Sequence, residues 1–385
     1  MKRSAASRHR GAALFAVVFL LMTAAPALAQ SPIPIRYSTR SLSMGGATLL
    51  SASPIEMGYF NPGGLSLTGG FHIYIPMVQV ATNRTLLDMI DYVETHSDNF
   101  EDWGNNHASD IAFATQTANE FGDRWVNLDL DPMIGIQMGK FSLSAYSVTR
   151  AKTALHVPQP YGVDKPKLQL YGTNDLVLNG GLGMQLLPIL HAGVGVRYMQ
   201  RQYTGIMSFD PEQFNSEADL IGEINDNLSD PESGFSVDAG ATVTLTKALA
   251  VGGVVRGLVS SMEGADWEPE VAAGVRLKPL ELLMGIPTFI IRDITVEADL
   301  LDITNVRGEE FIGDLDKFLL GAEVKLPLGL SARAGMYQGS FSYGASLHFL
   351  VVDVGVAFTD RPSFNPSTHE LEEEETFVVS VGIGW

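Results

Sequence analysis

Charged residues recur among small and apolar neighbours through the second half of this 385-residue chain, often two positions apart. Glu297 and Asp299, and Glu323 and Lys325, follow that spacing, and Arg197, Asp238, Arg256, Glu270, Arg276, Arg333, His348 and Asp353 fall in stretches of the same kind. Residues two apart share one face of a strand, so these side chains line a common surface. The chemistry such a surface offers is ionic. It can select a charged solute, with Arg197, Arg256 or Arg333 holding a carboxylate, or it can form paired charges that anchor other parts of the chain. The near balance of signs favours pairing, because a buried charge demands a partner. Covalent chemistry has no constellation to carry it: His-Glu-x-x-His, Gly-x-Ser-x-Gly and a Gly-rich phosphate loop are all missing. The eight histidines are scattered, and His348, near Ser342 and Ser346, reads as a hydrogen-bonded filler. No catalytic residue, cofactor or metal site is assigned, and the lack of cysteine excludes thiol chemistry and disulfides.

The elements that must position these charges are strands. Phe318, Leu320, Ala322, Val324 and Leu326 oppose Leu319, Gly321, Glu323 and Lys325; Phe341, Tyr343, Ala345, Leu347 and Phe349 oppose Ser342, Gly344, Ser346 and His348. The last eleven residues repeat the pattern, with Phe377, Val379, Val381, Ile383 and Trp385 on one face. One apolar face and one small or polar face suit a membrane barrel with lipid outside and a polar interior; the competing reading of a single such segment is an edge strand of a soluble sandwich. Fourteen segments of roughly ten residues are predicted, near 71–80, 130–139, 141–150, 174–187, 189–204, 234–246, 248–259, 268–277, 289–301, 316–326, 329–338, 340–349, 350–360 and 375–385. The expected fold is therefore all-β, a transmembrane antiparallel up-and-down β-barrel.

Connections alternate between long (81–129, 151–173, 205–233, 260–267, 302–315, 361–374) and short, as in barrels whose tight turns all lie at one end. An even strand count leaves both chain ends on the short-turn side. Leu86, Leu87, Ile90 and Val93 recur at helical spacing in the first long connection, and Ser109 is expected to cap a second helix from Asp110 to Phe121. The apolar stripes of these helices, with Met89, Ile90, Val93, Phe113 and Phe121, could capture a lipophilic ligand or pack on the barrel rim.

Residues 1–29 read as a signal peptide: Lys2, Arg3, Arg8 and Arg10, an apolar run from Gly11 to Met22, and Ala27-Leu28-Ala29 before the cleavage point. That segment carries four of the 25 basic and none of the 44 acidic residues, so the processed chain has 21 basic against 44 acidic, a net charge of −23. Such acidity argues against nucleic acid as a partner. The export signal with a barrel pattern places the protein in the outer membrane of a Gram-negative bacterium. The run Glu370, Glu372, Glu373, Glu374, Glu375 reads as a solvated loop, with cation bridging to lipopolysaccharide as the alternative. Asp226, Asp230 and Glu232 lack the spacing of a calcium loop. Residues 30–70, rich in Ser, Pro and Gly, read as a hatch folded into the lumen of a barrel that occupies 71–385.

The run Arg40-Ser-Leu-Ser-Met-Gly-Gly-Ala47 followed by Asn61-Pro62-Gly63-Gly64-Leu65 resembles the start of the FadL-type outer-membrane proteins, a superfamily that includes long-chain fatty acid channels, PorV-type barrels of protein secretion and a TraF-like branch. The resemblance implies a barrel of about 14 strands with an N-terminal hatch, Asn61, Pro62, Gly63 and Leu65 forming the hatch turn. Gly63 stands where the family usually has Ala, which predicts a more mobile backbone there. It also implies a channel for passive uptake of hydrophobic molecules such as long-chain fatty acids, without cofactor; the alternative is a docking or assembly component. Expected partners are outer-membrane lipid and lipopolysaccharide, a lipophilic ligand, secretion-system proteins, and the barrel assembly machinery through the strand ending at Trp385.

Overall fold

A computed structural model describes residues 34–384 apart from 105–106, 123, 162, 211–226, 228, 263–267, 283–289, 307–316, 338 and 365–370. The signal peptide, the start of the expected hatch at 30–33, Asp226, Glu370 and Trp385 lie outside the described residues.

Fourteen antiparallel strands close into one ring. They are β1 (Phe71–Thr82), β2 (Val126–Leu130 continued by Met133–Met138), β3 (Phe141–His156), β4 (Lys167–Gln185), β5 (Leu190–Tyr203 continued by Met207–Phe209), β6 (Glu232–Thr244) and β7 (Leu249–Met262). The second half holds β8 (Glu270–Leu277), β9 (Asp293–Leu300), β10 (Phe318–Lys325), β11 (Leu330–Tyr337), β12 (Ser340–Phe349), β13 (Val352–Phe364) and β14 (Leu371–Gly384). Each strand pairs with its sequence neighbour, and β1 pairs with β14 to close the ring. Pro132, which has no N–H to give a ladder, interrupts β2 without shifting its register: Leu130 lies opposite Thr149 and Met133 opposite Tyr146.

Alternation decides which face meets lipid. On β14, Phe377, Val381 and Ile383 are exposed while Thr376, Val378 and Ser380 are buried. The same holds for exposed Phe318 and Leu320 against buried Leu319 and Glu323 on β10. An apolar exterior on a closed ring leaves no unpaired sheet edge in hydrocarbon. No helix among the described residues is long and apolar enough to cross a membrane.

The wall is uneven. β3 runs 16 residues and β4 runs 19, whereas β8, β9, β10 and β11 have 8 each. The uniform ten-residue strand expected from periodicity is thus replaced by tall and low sectors. The expected 151–173 connection shrinks to 157–166, because β3 and β4 stay paired out to His156 and Lys167. Likewise 361–364 and 371–374 are paired strand, not loop. Beyond the membrane band, sequence alternation persists only weakly, so strand continuation was hidden.

Short helices precede β1: α1 (Thr39–Ser43), α2 (Met57–Phe60) and α3 (Leu65–Thr68). Three more fill the first long connection: α4 (Arg84–Thr95), α5 (Ser97–Glu101) and α6 (His107–Glu120). Asn83 caps α4 by accepting from the Leu86 N–H at 2.9 Å. α6 begins at His107, so Ser109 lies inside its first turn and does not cap it.

Candidate functional site

Residues between Thr39 and Ser66 pack against the inward side of the wall, and the wall meets them with glycine. A Cβ on Gly183 of β4 would lie 2.7 Å from the Ser66 nitrogen, and one on Gly181 would lie 2.9 Å from Leu65. On the other side of the ring, a Cβ on Gly321 of β10 would come within 2.9 Å of Met44 Cβ, and one on Gly344 of β12 within 2.7 Å of Ser43. Gly252 faces Leu50, and Gly355 faces Thr39. Inward glycines on successive strands therefore form a belt that lets backbone approach backbone. Close packing of this kind is intolerant of added volume.

Asn61 sits at the centre of the seat, fully buried. Its side-chain oxygen accepts from the Gly63 N–H at 3.1 Å, capping the 3-10 turn Pro62–Gly64, and its amide donates to Thr242 Oγ1 at 3.2 Å. Leu65 is fully buried in the apolar cluster below. Gly63 is required by contact, not by mobility: a Cβ there would lie 2.7 Å from the Gly240 carbonyl oxygen.

Charges tie the segment to the wall. Glu323, 1 % exposed, accepts from Arg40 Nε at 3.1 Å and Nη2 at 2.9 Å, and from Arg333 Nε at 2.7 Å. Asp299 accepts the Leu49 N–H at 2.9 Å, Glu297 accepts the Leu50 N–H at 2.5 Å, and Arg276 donates to the Leu50 carbonyl at 2.6 Å. Arg197 pairs with Asp238 and donates to the Tyr59 carbonyl at 2.7 Å. Arg256 pairs with Glu270 at 2.7 Å and reaches the Phe60 carbonyl at 3.4 Å. Thus the three arginines considered as carboxylate holders, Arg197, Arg256 and Arg333, each already hold an internal carboxylate. Gly257 makes one of these pairs possible. Its φ of +66° belongs to a bulge that places Arg256, Gly257 and Leu258 opposite Asp238, and its N–H donates to Asp238 Oδ1 at 3.0 Å.

Not every inward charge reaches this centre. Lys325 is half exposed beside the 326–329 turn, and His348, also half exposed, lies 3.5 Å from Asp353 at the short-turn end. His348 keeps a polar partner, as a filler would, but at the rim instead of deep in the lumen.

Sequence reasoning missed a second layer. Arg36 donates to the Asp131 carbonyl at 3.0 Å and faces Glu56 at 3.5 Å; Arg150 pairs with Asp131 at 2.7 Å, and Arg201 with Asp175 at 2.6 Å. Asp131, Arg150, Asp175 and Arg201 all lie in segments predicted as strands, but which charge faces which depends on strand pairing, and Arg36 and Glu56 precede the first strand. Between this layer and the belt lies an apolar patch: Met133, Tyr146, Val148, Val177 and Met199 of the wall pack on Ile55, Met57, Tyr59 and Phe60. Burial, reinforced by nearby Glu56, pushes the Tyr59 phenol well above its ordinary pKa, so it stays protonated.

The apolar stripes of α4 and α6 are packed, not open. Leu86, Met89, Tyr92, Phe113 and Phe121 bury together with Val126 of β2 and Leu155 of β3. Val126 and Leu155 lie on the face remote from the lumen by alternation with Asp129 and Arg150, which pair at 3.5 Å inside. Among the described residues no cluster of three or more His, Asp or Glu could hold a metal.

No family profile and no curated protein matches the chain. Solved structures do. The toluene transporter TbuX of Ralstonia pickettii superposes with a TM-score of 0.50 at 10 % identity, over 91 % of this chain and 98 % of that one. The Pseudomonas putida toluene transporter TodX gives 0.49 at 9 % identity over 90 % and 97 %. A FadL homologue of Pseudomonas aeruginosa gives 0.45 at 9 % over 92 % and 98 %. The match to TbuX shows the fold alone: a closed antiparallel barrel of 14 strands.

Proposed function

We propose that this chain is an outer-membrane channel for passive uptake of small hydrophobic molecules, with residues 34–70 as the hatch that gates it. The observation that carries the reading is the lumen lining. Water-filled barrels present polar groups inward. Here Met133, Tyr146, Val148, Val177 and Met199 form an inward apolar surface, covered by Ile55, Tyr59 and Phe60 of the hatch. Movement of that hatch face would uncover an apolar cavity bounded by charged layers, the arrangement that binds a lipophilic ligand with a few orienting polar groups. The fold shared with a toluene transporter supports an aromatic or other compact hydrocarbon as a ligand class alongside fatty acids. The chain's own side chains act by binding and gating; no reaction is assigned to them.

A second reading, a docking or assembly component, is favoured by one observation. Every strand seam among the described residues is hydrogen-bonded and the hatch is seated against most of the ring. Reconstitution separates the two. Vesicles containing the purified protein should accumulate toluene or a long-chain fatty acid faster than empty vesicles, and removing residues 34–60 should raise that rate. Equal rates with and without protein, together with co-purifying partner proteins, would favour docking.

A further inference from the structure

Carboxylates buried on the inward faces of the strands are matched by arginines. Glu323, Asp238, Glu270 and Asp175 are each paired to one. Glu297 and Asp299 differ. They stand two positions apart on one face of β9, 0 % and 2 % exposed, and neither is ion-paired among the described residues. Each accepts one hatch N–H, Asp299 Oδ2 from Leu49 at 2.9 Å and Glu297 Oε1 from Leu50 at 2.5 Å. Their other oxygens, Asp299 Oδ1 and Glu297 Oε2, are buried without a hydrogen-bond partner among the described residues. The two carboxyl groups lie within hydrogen-bond reach of each other. Asp299 Oδ1 packs so closely on Gly274 that an added Cβ would collide with it, so no water fits on that side.

The surrounding charges are engaged elsewhere. Arg276 stands opposite Glu297 across the β8–β9 ladder, but it donates to the Leu50 carbonyl at 2.6 Å. Glu270 of β8 belongs to Arg256, and Asp293 of β9 to Lys278 at 2.9 Å. On β10, Glu323 takes Arg40 of the hatch, Arg333 of β11 and, at 3.8 Å, Lys325. Beyond Asp299, Lys317 reaches Asn305, and Asp302 accepts the Val306 N–H at 2.8 Å. Glu56 of the hatch faces Arg36 at 3.5 Å. Two ionised carboxylates side by side, shielded from water and without a cation in contact, repel each other. One proton between them removes a charge and supplies the donor that the two free oxygens need.

We propose that Glu297 and Asp299 share one proton while the hatch is seated, and that this proton fastens Leu49 and Leu50 to β9. Seating takes the proton from water; release of the hatch hydrates both carboxyl groups and returns it. The inference needs the barrel and its packed N-terminal segment but not transport. Exposed carboxyl groups ionise near about pH 4, so above that the seated state binds one proton more than the released state. Seating is then favoured at low pH and lost as pH rises, by up to about tenfold per pH unit.

Infrared spectroscopy of the full chain in phosphatidylcholine vesicles reads the proton directly. At about pH 7, where ordinary carboxyl groups are ionised, a carboxylic-acid C=O band should be present. E297Q and D299N should each remove it, because the amide supplies the donor and leaves the remaining carboxylate ionised. In an A47C background of the otherwise cysteine-free chain, the maleimide labelling rate, divided by that of the denatured chain at the same pH, should rise with pH by up to about tenfold per unit. E297Q should flatten that slope. Heat-modifiable electrophoretic mobility confirms that each variant is folded. A spectrum without the band at about pH 7, as a metal cation in the proton's place would give, or a band unchanged in both variants, would overturn the shared proton. A pH slope retained in E297Q would overturn its part in holding the hatch.

Discussion

Glu323→Gln should unlatch the hatch while leaving the barrel folded. Glu323 receives two donors from Arg40 and one from Arg333. Removing the charge leaves two guanidinium groups sharing one neutral carbonyl. Breaking a buried pair by deleting one partner costs about 3–5 kcal/mol. Arg40 is 18 % exposed, and glutamine keeps one acceptor, so the lower end applies: about 3 kcal/mol, or roughly 150-fold in the open-to-closed ratio. Ala47, fully buried in the hatch, provides the reporter. In an Ala47→Cys background a water-soluble maleimide labels only the undocked state, so the labelling rate follows the opening equilibrium when reclosing is fast. The expected result is a rise of about two orders of magnitude in rate with heat-modifiable mobility retained. A rate within about threefold of the parent would refute the view that this ion cluster holds the hatch.

Three further outcomes are expected. Gly183→Val should expel the hatch and raise Ala47→Cys labelling, because its Cβ would meet the Ser66 nitrogen at 2.7 Å; Gly180→Val, whose Cβ meets nothing within 4 Å, should label like the parent. Arg197→Met and Asp238→Leu should each lower stability in detergent by about 3–5 kcal/mol, and the double variant by clearly less than the sum, since only the singles strand a buried charge. Leu328→Asn should gain about 1 kcal/mol by relieving a left-handed leucine, as read by denaturant unfolding in detergent.

The membrane-facing half of the fold was legible because lipid imposes a period of two on every strand. All fourteen predicted segments overlap an observed strand, from Phe71 to Gly384. The interior charges were legible as a face but not as pairs. Arg40 and Glu323 stand 283 positions apart, and nothing local in either stretch names the other. The glycine belt was visible only as a row of small inward residues such as Gly321 and Gly344; its purpose depends on a second backbone lying against it. Arg36 was missed because it lies before the first strand, where no period marks it, and Arg150 and Arg201 because their partners Asp131 and Asp175 stand on neighbouring strands, which nothing local in sequence names.

The glycine seat also dictates an order of assembly. Met44 rests on β10 and β11, Thr39 on β13, and Ser66 on β4. Residues 34–70 are made before every strand, yet they cannot complete their contacts until strands near the far end of the polypeptide exist. Such long-range closure is slow, because loop entropy is lost before distant contacts reward it. During that interval Leu42, which packs on Ala357 and Val378 of the last two strands, lacks its wall, so the waiting chain is sticky. Shielding residues 34–70 until the last strand docks on the first would suppress that hazard.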